Sequence, residues 1–439
     1  MAQRVYIETY GCQMNVADSE LMAGLLGRHG FTSVKSAEEA DVVLINTCAV
    51  REKAEDRIFG RLGWLKPLKD SRPELVLGVA GCMAEHLKEA LIKRAPYVDI
   101  VVGPDAYRRL PALINEIQAG AVDSMVDVRL DREELYEGER PHRALGVSGW
   151  ISIMRGCDKF CTFCIVPYTR GRERSVAPDD IVQQAEEMVA QGFKEVTLLG
   201  QTVSSYNHDD CDFSALLERL HAVEGLARIR YTSPYPSDFS PRLLETLSAL
   251  PRVARHLHLP LQSGSSRVLS AMRRGYSIEE YLALARTIRQ NMPDFSITTD
   301  LIVGYPTETD DEFEETLRAV EEVQFDSAYM FKYSERSGTW AAKNCEDEVP
   351  EEVKSQRLTR LIKLQEQCSI ARSARMIGKE VDVLVTGTNP KNAAQKMGRS
   401  SCFKTTGLDG EHRPGDMVRA VVTSARTHTL FATPITGEA

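Results

Sequence analysis

From residue 4 to residue 333 the chain alternates short apolar runs with amphipathic helical stretches, and this alternation narrows the fold more than anything else. Residues 4–10 are strand-like, and 18–30 have helical spacing at Leu21, Leu25 and Leu26 before a terminal Gly30. An apolar strand at 41–47, a helix at 51–65, a strand at 74–80, a helix near 87–93 and a strand at 98–102 follow. Apolar strands separated by helices predict a doubly wound parallel sheet, here over 1–118. The stretch 119–145, with Asp131-Arg132-Glu133-Glu134, is charged and poorly periodic and is expected to be a linker.

The same alternation returns on a larger scale over 146–375. Strands are expected at 151–155, 195–199, 228–232, 256–261, 296–303 and 328–333, with five helical stretches between them. Six units are too few for a closed eight-fold barrel. An open partial (β/α)6 barrel is expected, with its first loop at the C-terminal face of the strands. Beyond 376 the helices stop. Short strands at 380–386, 402–405, 417–424 and 429–433, punctuated by Gly387, Gly398, Gly407, Gly410 and Gly415, predict a small antiparallel β-barrel over 376–439.

The 439 residues suit about three domains, and 43% hydrophobic with 27% charged residues describes an ordinary soluble protein. No apolar run approaches the roughly 20 residues that span a bilayer. The N-terminus enters a strand at once, so a cytoplasmic protein with no membrane partner is expected. The ten cysteines then read as reduced thiols or metal ligands. Net charge is −9, yet residues 370–439 hold ten Lys and Arg against six Asp and Glu, leaving −13 on the rest. That tail is either a local RNA-contacting patch or an ordinary mildly basic module.

Three cysteines fall in one loop, Cys157-Asp158-Lys159-Phe160-Cys161-Thr162-Phe163-Cys164. A CxxxCxxC run brings three thiolates together and offers no fourth ligand nearby, whereas structural zinc wants four. An iron–sulfur cube held by three cysteines leaves one iron open. Zinc and a purely structural role remain the alternatives. Cys12, Cys48 and Cys82 are scattered, but each closes an expected strand. Strand C-termini of a parallel sheet share one edge, where ligands bind, so these thiols are expected to form a second metal–sulfur site, the alternative being buried apolar cysteines. Gly11 and Gly81 are expected to let the backbone approach a bulky ligand. Cys211, Cys345, Cys368 and Cys402 share no context and read as structural thiols. His256 and His258 alternate on one strand and are expected to face the barrel interior.

The CxxxCxxC run with an aromatic before its last cysteine resembles the signature of radical S-adenosylmethionine (SAM) enzymes. With both cysteine sets placed, the whole chain is similar to the methylthiotransferase family, which joins an N-terminal domain bearing three scattered cysteines, a radical-SAM barrel and a C-terminal RNA-binding TRAM domain. Thr9-Tyr10-Gly11-Cys12-Gln13-Met14-Asn15, Asp18-Ser19-Glu20 and Pro167-Tyr168-Thr169-Arg170-Gly171-Arg172-Glu173-Arg174 resemble the branch that modifies tRNA. His258-Leu259-Pro260-Leu261-Gln262-Ser263-Gly264 and Asp300-Leu301-Ile302-Val303-Gly304 match family barrel motifs. The chain departs at Thr202 and Ser204, where Asn is usual, at Tyr235, where His is common, and in Pro306-Thr307-Glu308-Thr309, where Thr replaces a usual Gly. None of these is expected to touch the cysteines.

The resemblance implies 2-methylthiolation of N6-isopentenyladenosine beside the tRNA anticodon, with two 4Fe-4S clusters and two SAM molecules. One SAM would methylate a sulfur carried on an auxiliary cluster at Cys12, Cys48 and Cys82. The other would be cleaved at a cluster on Cys157, Cys161 and Cys164, with Phe163, Gly200 and Gln201 lining its site. Arg170, Arg172, Arg174 and Arg399 are candidate RNA contacts. A low-potential electron donor and a sulfur donor are implied partners, and a monomer is expected. Methylthiolation of a protein side chain and a non-catalytic iron–sulfur protein remain the alternatives.

Overall fold

The computed structural model describes residues 2–49 and 52–435. Arg51, at the head of one expected helix, and the last four residues of the C-terminal module lie outside the described residues. The N-terminal module is a six-stranded parallel sheet of β1 (Gln3–Tyr10), β2 (Phe31–Ser33), β3 (Val42–Thr47), β4 (Val76–Gly81), β5 (Ile100–Val102) and β6 (Met125–Asp127), in the order β2-β1-β3-β4-β5-β6. β3 and β4 are buried along their whole length, as sheets covered on both faces require. Helix α1 (Gln13–Arg28) packs on one face through Leu21, Met22, Leu25 and Leu26, and the helix Glu52–Ser71 covers the other through Ile58, Leu62 and Leu65.

Two strands escaped sequence reading because each is only three residues long, too short for a period to show. One of them, β6, lies inside the stretch 119–145 expected to be a linker. It pairs with β5, and Tyr136 further along is buried and donates to the Pro104 carbonyl at 2.8 Å. The linker assignment is therefore corrected: this stretch completes the first sheet and packs against it.

The central module holds two three-stranded parallel sheets. Ser148–Ser152, Glu195–Leu199 and Arg228–Tyr231 form one; His256–His258, Ser296–Val303 and Ser327–Lys332 form the other. A single bridge from Ile229 to Val253 joins them. Among the described residues the first and last strands do not pair, so the barrel is open. Leu257, Ile297 and Leu301 point outward into the helix-covered core. By the two-residue period of strands, His256, His258, Thr298 and Asp300 face the interior. There Thr298 Oγ1 bridges His256 Nε2 (2.8 Å) and His258 Nδ1 (3.0 Å).

The C-terminal module is a closed five-stranded barrel of Glu380–Asn389, Asn392–Ser400, Thr405–Leu408, Thr429–Pro434 and Met417–Ala425. It is antiparallel except for one parallel pair, Thr405–Leu408 with Thr429–Pro434. Asn392–Ser400 was missed because its exposed half is polar. This module sits under the central barrel, at the N-terminal ends of the strands. Arg228 donates to the carbonyls of Arg399 and Asp382, Arg230 to Ser400, and Ser296 to Cys402. Phe403, with φ +65, stacks on His256 at 4.7 Å.

Candidate iron–sulfur sites

Cys12, Cys48 and Cys82 stand just past the ends of β1, β3 and β4, on one edge of the sheet. Cys12 opens α1, where Asn15 Oδ1 accepts its backbone N–H at 3.3 Å. Asn15 is tied in turn to buried Asn46 of β3, its Nδ2 lying 3.2 Å from Asn46 Oδ1, and Asn46 Nδ2 donates to the Asn15 carbonyl at 2.7 Å. This buried amide pair fixes the first two strand ends against each other. Gly11 and Gly81 have φ of +143 and +94, and a Cβ at either would strike the Asn15 or Asn46 side-chain oxygen. The glycines make room for the two amides, and Gly11 also for the Cys48 side chain.

The second triad lies on the loop after the first barrel strands. Thr202 Oγ1 is 3.3 Å from Cys157 Sγ, and Arg274 Nη1 donates to Cys161 Sγ at 3.3 Å. Thr162 pins the loop, its hydroxyl 2.8 Å from Tyr305 and its carbonyl accepting from Ala341 N at 2.9 Å. Phe163 is partly buried against Val268, Met272, Tyr305 and Tyr333, so it anchors the loop. Gly200 packs against Met154, and Gln201 has its Oε1 buried without a hydrogen-bond partner. One departure from the family pattern touches a thiol, and another touches the arginine beside a second thiol. Thr202 touches Cys157, and Tyr235 stacks 4.5 Å from the Arg274 guanidinium.

A short helix, Val166–Arg170, connects the two triads. Ile165, next to Cys164, packs with Ala49 and Cys82, and Arg170 Nε lies 3.1 Å from Cys82 Sγ. The six steps from Cys164 to Arg170 span about 9 Å at helical rise. Arg170 also pairs with buried Asp18 at 2.7 Å, and Arg155 takes the other Asp18 oxygen at 2.9 Å. Arg170 and Arg174 are thus corrected as RNA contacts: both are buried, Arg174 on Asp105 at 2.8 Å. Of that string only Arg172 is exposed, paired with Asp158 at 2.7 Å. Arg399 is half-buried at the barrel floor, 4.5 Å over Phe403, and donates to the Phe403 carbonyl. Sequence reading gave no role to Asn15, Asp18, Asn46, Arg155 or Arg274; the contacts that tie them across the fold run to residues 31 to 152 positions away, so spacing carried no signal.

Electrostatically Cys12 stands apart from Cys82, Cys157 and Cys164. A hydrogen bond from Cys48, aided by the Arg170 charge, lowers the Cys12 thiol to about 6. Burial raises the Cys82 and Cys157 thiols and pushes Cys164 up to about 12. Among the described residues no three His, Cys, Asp or Glu side chains close tightly enough to hold one metal ion. Among the described residues neither set of three thiols has a fourth protein donor beside it, which suits a cluster gripped at its corners better than a closed tetrahedral ion.

An open six-stranded barrel with a three-thiol loop at its C-terminal face is the architecture of a radical SAM enzyme. Residues 151–320 match the model described as the Radical SAM superfamily, and 4–103 match Uncharacterized protein family UPF0004. The chain is 45% identical over 98% of its length to tRNA-2-methylthio-N(6)-dimethylallyladenosine synthase of Bacteroides thetaiotaomicron, covering 95% of that protein. It is also 45% identical to the synthase of the same name from Moorella thermoacetica, with 98% of each chain covered. Among solved structures it is similar to the radical SAM methyltransferase TsrM of Kitasatospora setae (TM-score 0.58, 14% identity, 76% of this chain and 75% of that one). It is also similar to the cobalamin-dependent radical enzyme OxsB (TM-score 0.55, 14% identity, 83% and 56%). At that identity these two show the fold alone. The chain belongs to the tRNA-2-methylthio-N(6)-dimethylallyladenosine synthase family.

Proposed function

We propose that this chain converts N6-isopentenyladenosine beside the anticodon of tRNA to its 2-methylthio derivative, using two 4Fe-4S clusters and two SAM molecules. The observation that carries the reading is the nearness of the triads: Ile165, next to Cys164, packs with Cys82, and Arg170, at the end of the short helix that follows, donates to the Cys82 sulfur. A C–H bond of an aromatic ring yields to a radical and not to a base, and sulfur must then arrive at the same carbon. When bound, the clusters and SAM supply the 5′-deoxyadenosyl radical and the methylthio group. The chain's own part is to hold the two sources side by side, to exclude water and to orient the base.

Cys157, Cys161 and Cys164 would hold one cluster, and Cys12, Cys48 and Cys82 the other. Gln201, with its unpartnered oxygen, is suited to orient SAM near the loop. His258, 3.2 Å from Asp300, is suited to orient the base in the barrel interior. A base in a single-stranded anticodon loop is cheap to extrude into such an interior. With Arg170 and Arg174 buried, the backbone grip falls to Arg172 and to exposed cations of the C-terminal barrel such as Lys391, Arg413 and Arg419. A cytoplasmic monomer served by a low-potential electron donor and a sulfur donor completes the reading. No described helix is long and apolar enough to cross a membrane.

The test is mass spectrometry of nucleosides after incubating isopentenylated tRNA with the reconstituted protein, SAM and dithionite. The 2-methylthio nucleoside is expected. Its absence while 5′-deoxyadenosine accumulates would refute the substrate assignment.

A further inference from the structure

Each thiol triad carries one buried arginine with an N–H on a cysteine sulfur. Arg274 points Nη1 at Cys161 Sγ, 3.3 Å away. Its other groups meet neutral acceptors, Nη2 on the Pro260 carbonyl (3.1 Å) and Nε on the Tyr276 hydroxyl (2.9 Å), between the Tyr235 and Tyr276 rings. Among the described residues Arg274 makes no ion pair. Arg170 points Nε at Cys82 Sγ, 3.1 Å away, but its Nη2 lies 2.7 Å from the Asp18 carboxylate. Asp18 is fully buried and also takes Arg155. Arg170 Nη1 is buried without a hydrogen-bond partner. The two triads therefore receive the same guanidinium contact, and only one of those cations has a carboxylate against it.

Reduction adds one negative charge to an iron–sulfur site, and net charge with hydrogen bonds to the sulfurs sets its potential. A buried cation touching a ligand sulfur favours the reduced form, and a carboxylate against that cation takes the benefit away. We propose that Arg274 and Arg170 are positioning residues that tune the two iron–sulfur sites, and that Asp18, shared between Arg170 and Arg155, lessens at the Cys12/Cys48/Cys82 site the positive charge that Arg274 gives in full to the Cys157/Cys161/Cys164 site. An electron from a one-electron donor such as dithionite or a reduced flavin is thereby steered to the site that cleaves SAM. This rests on the reading that both triads hold clusters.

The experiment is a potentiometric titration followed by electron paramagnetic resonance, with each site isolated by Ala replacement of the other triad's cysteines. Arg274→Gln should move the Cys157/Cys161/Cys164 site to more negative potential. Asp18→Asn should move the Cys12/Cys48/Cys82 site to less negative potential, and Arg170→Gln should move it the opposite way. Unmoved midpoints in variants that keep their iron would overturn the proposal. If a variant loses its cluster, hyperfine spectroscopy of the reduced wild-type protein carrying 15N-arginine decides the matter. Coupling from one arginine nitrogen at each site supports the contact, and none at either site overturns it. Wild-type protein holding iron for only one cluster would instead fail the two-cluster reading.

Discussion

The two thiol triads are built by opposite means. Cys157, Cys161 and Cys164 come from eight consecutive residues, held by a loop that Thr162 and Phe163 staple to its surroundings. Cys12, Cys48 and Cys82 come from three strands and meet only because a parallel sheet ends all its strands on one edge. Local assembly leaves that set of thiols buried or half-buried, and burial holds Cys157 and Cys164 protonated. Edge assembly exposes Cys12 beside a hydrogen-bonding neighbour, so that its thiolate forms easily, while it buries Cys82 and raises that thiol. One triad belongs to a loop; the other belongs to a fold.

The largest effect that distinguishes them is chemical. Cys161→Ala should reduce SAM cleavage to background, read as 5′-deoxyadenosine, while iron at the N-terminal site persists; cleavage at the normal rate would mean the loop is not the radical site. Replacing Cys12, Cys48 and Cys82 together should do the reverse. Cleavage should continue, methylthio product should vanish, and iron should fall from about eight to about four per chain, one cubane's worth. An unchanged iron count would make those thiols structural.

Next comes stability. Asp18→Ala strands two buried arginines at the junction of the modules and should cost about 3–5 kcal/mol in chemical denaturation. Asp238→Ala breaks the Lys159 pair beside the loop (2.7 Å), which is partly exposed, and should cost about 1 kcal/mol or less. Equal costs would erase the difference in how the triads are anchored.

The smallest effect is a titration of the cluster-free thiols. A thiol reacts as its thiolate, so its alkylation rate rises with pH until its pKa is passed. Cys12 should level off above about pH 6, whereas Cys164, pushed up to about 12, should still be accelerating at alkaline pH. Mass mapping after brief iodoacetamide pulses across pH 5 to 10 would read both, and matching profiles would show that burial does not separate them.

Local order was enough to read the three modules, the open six-strand barrel and the loop and strand ends on which the cysteines sit. That order is a period of two or 3.6, a run of cysteines in one loop, a residue closing a strand. Sequence reading misjudged what long-range packing decides. Arg170, Arg172 and Arg174 look alike in sequence, a basic string after a cluster loop; the helix Val166–Arg170 turns the first into the interior against Asp18, leaves the second outside, and lays the third on Asp105. Arg399 reads as a surface cation, but its module docks under the barrel. Arg274 carries no sequence mark, although it reaches a cysteine 113 positions away. A buried charge is placed by where its counter-charge and its acceptors lie in space, and those partners are chosen when the sheets and modules come together.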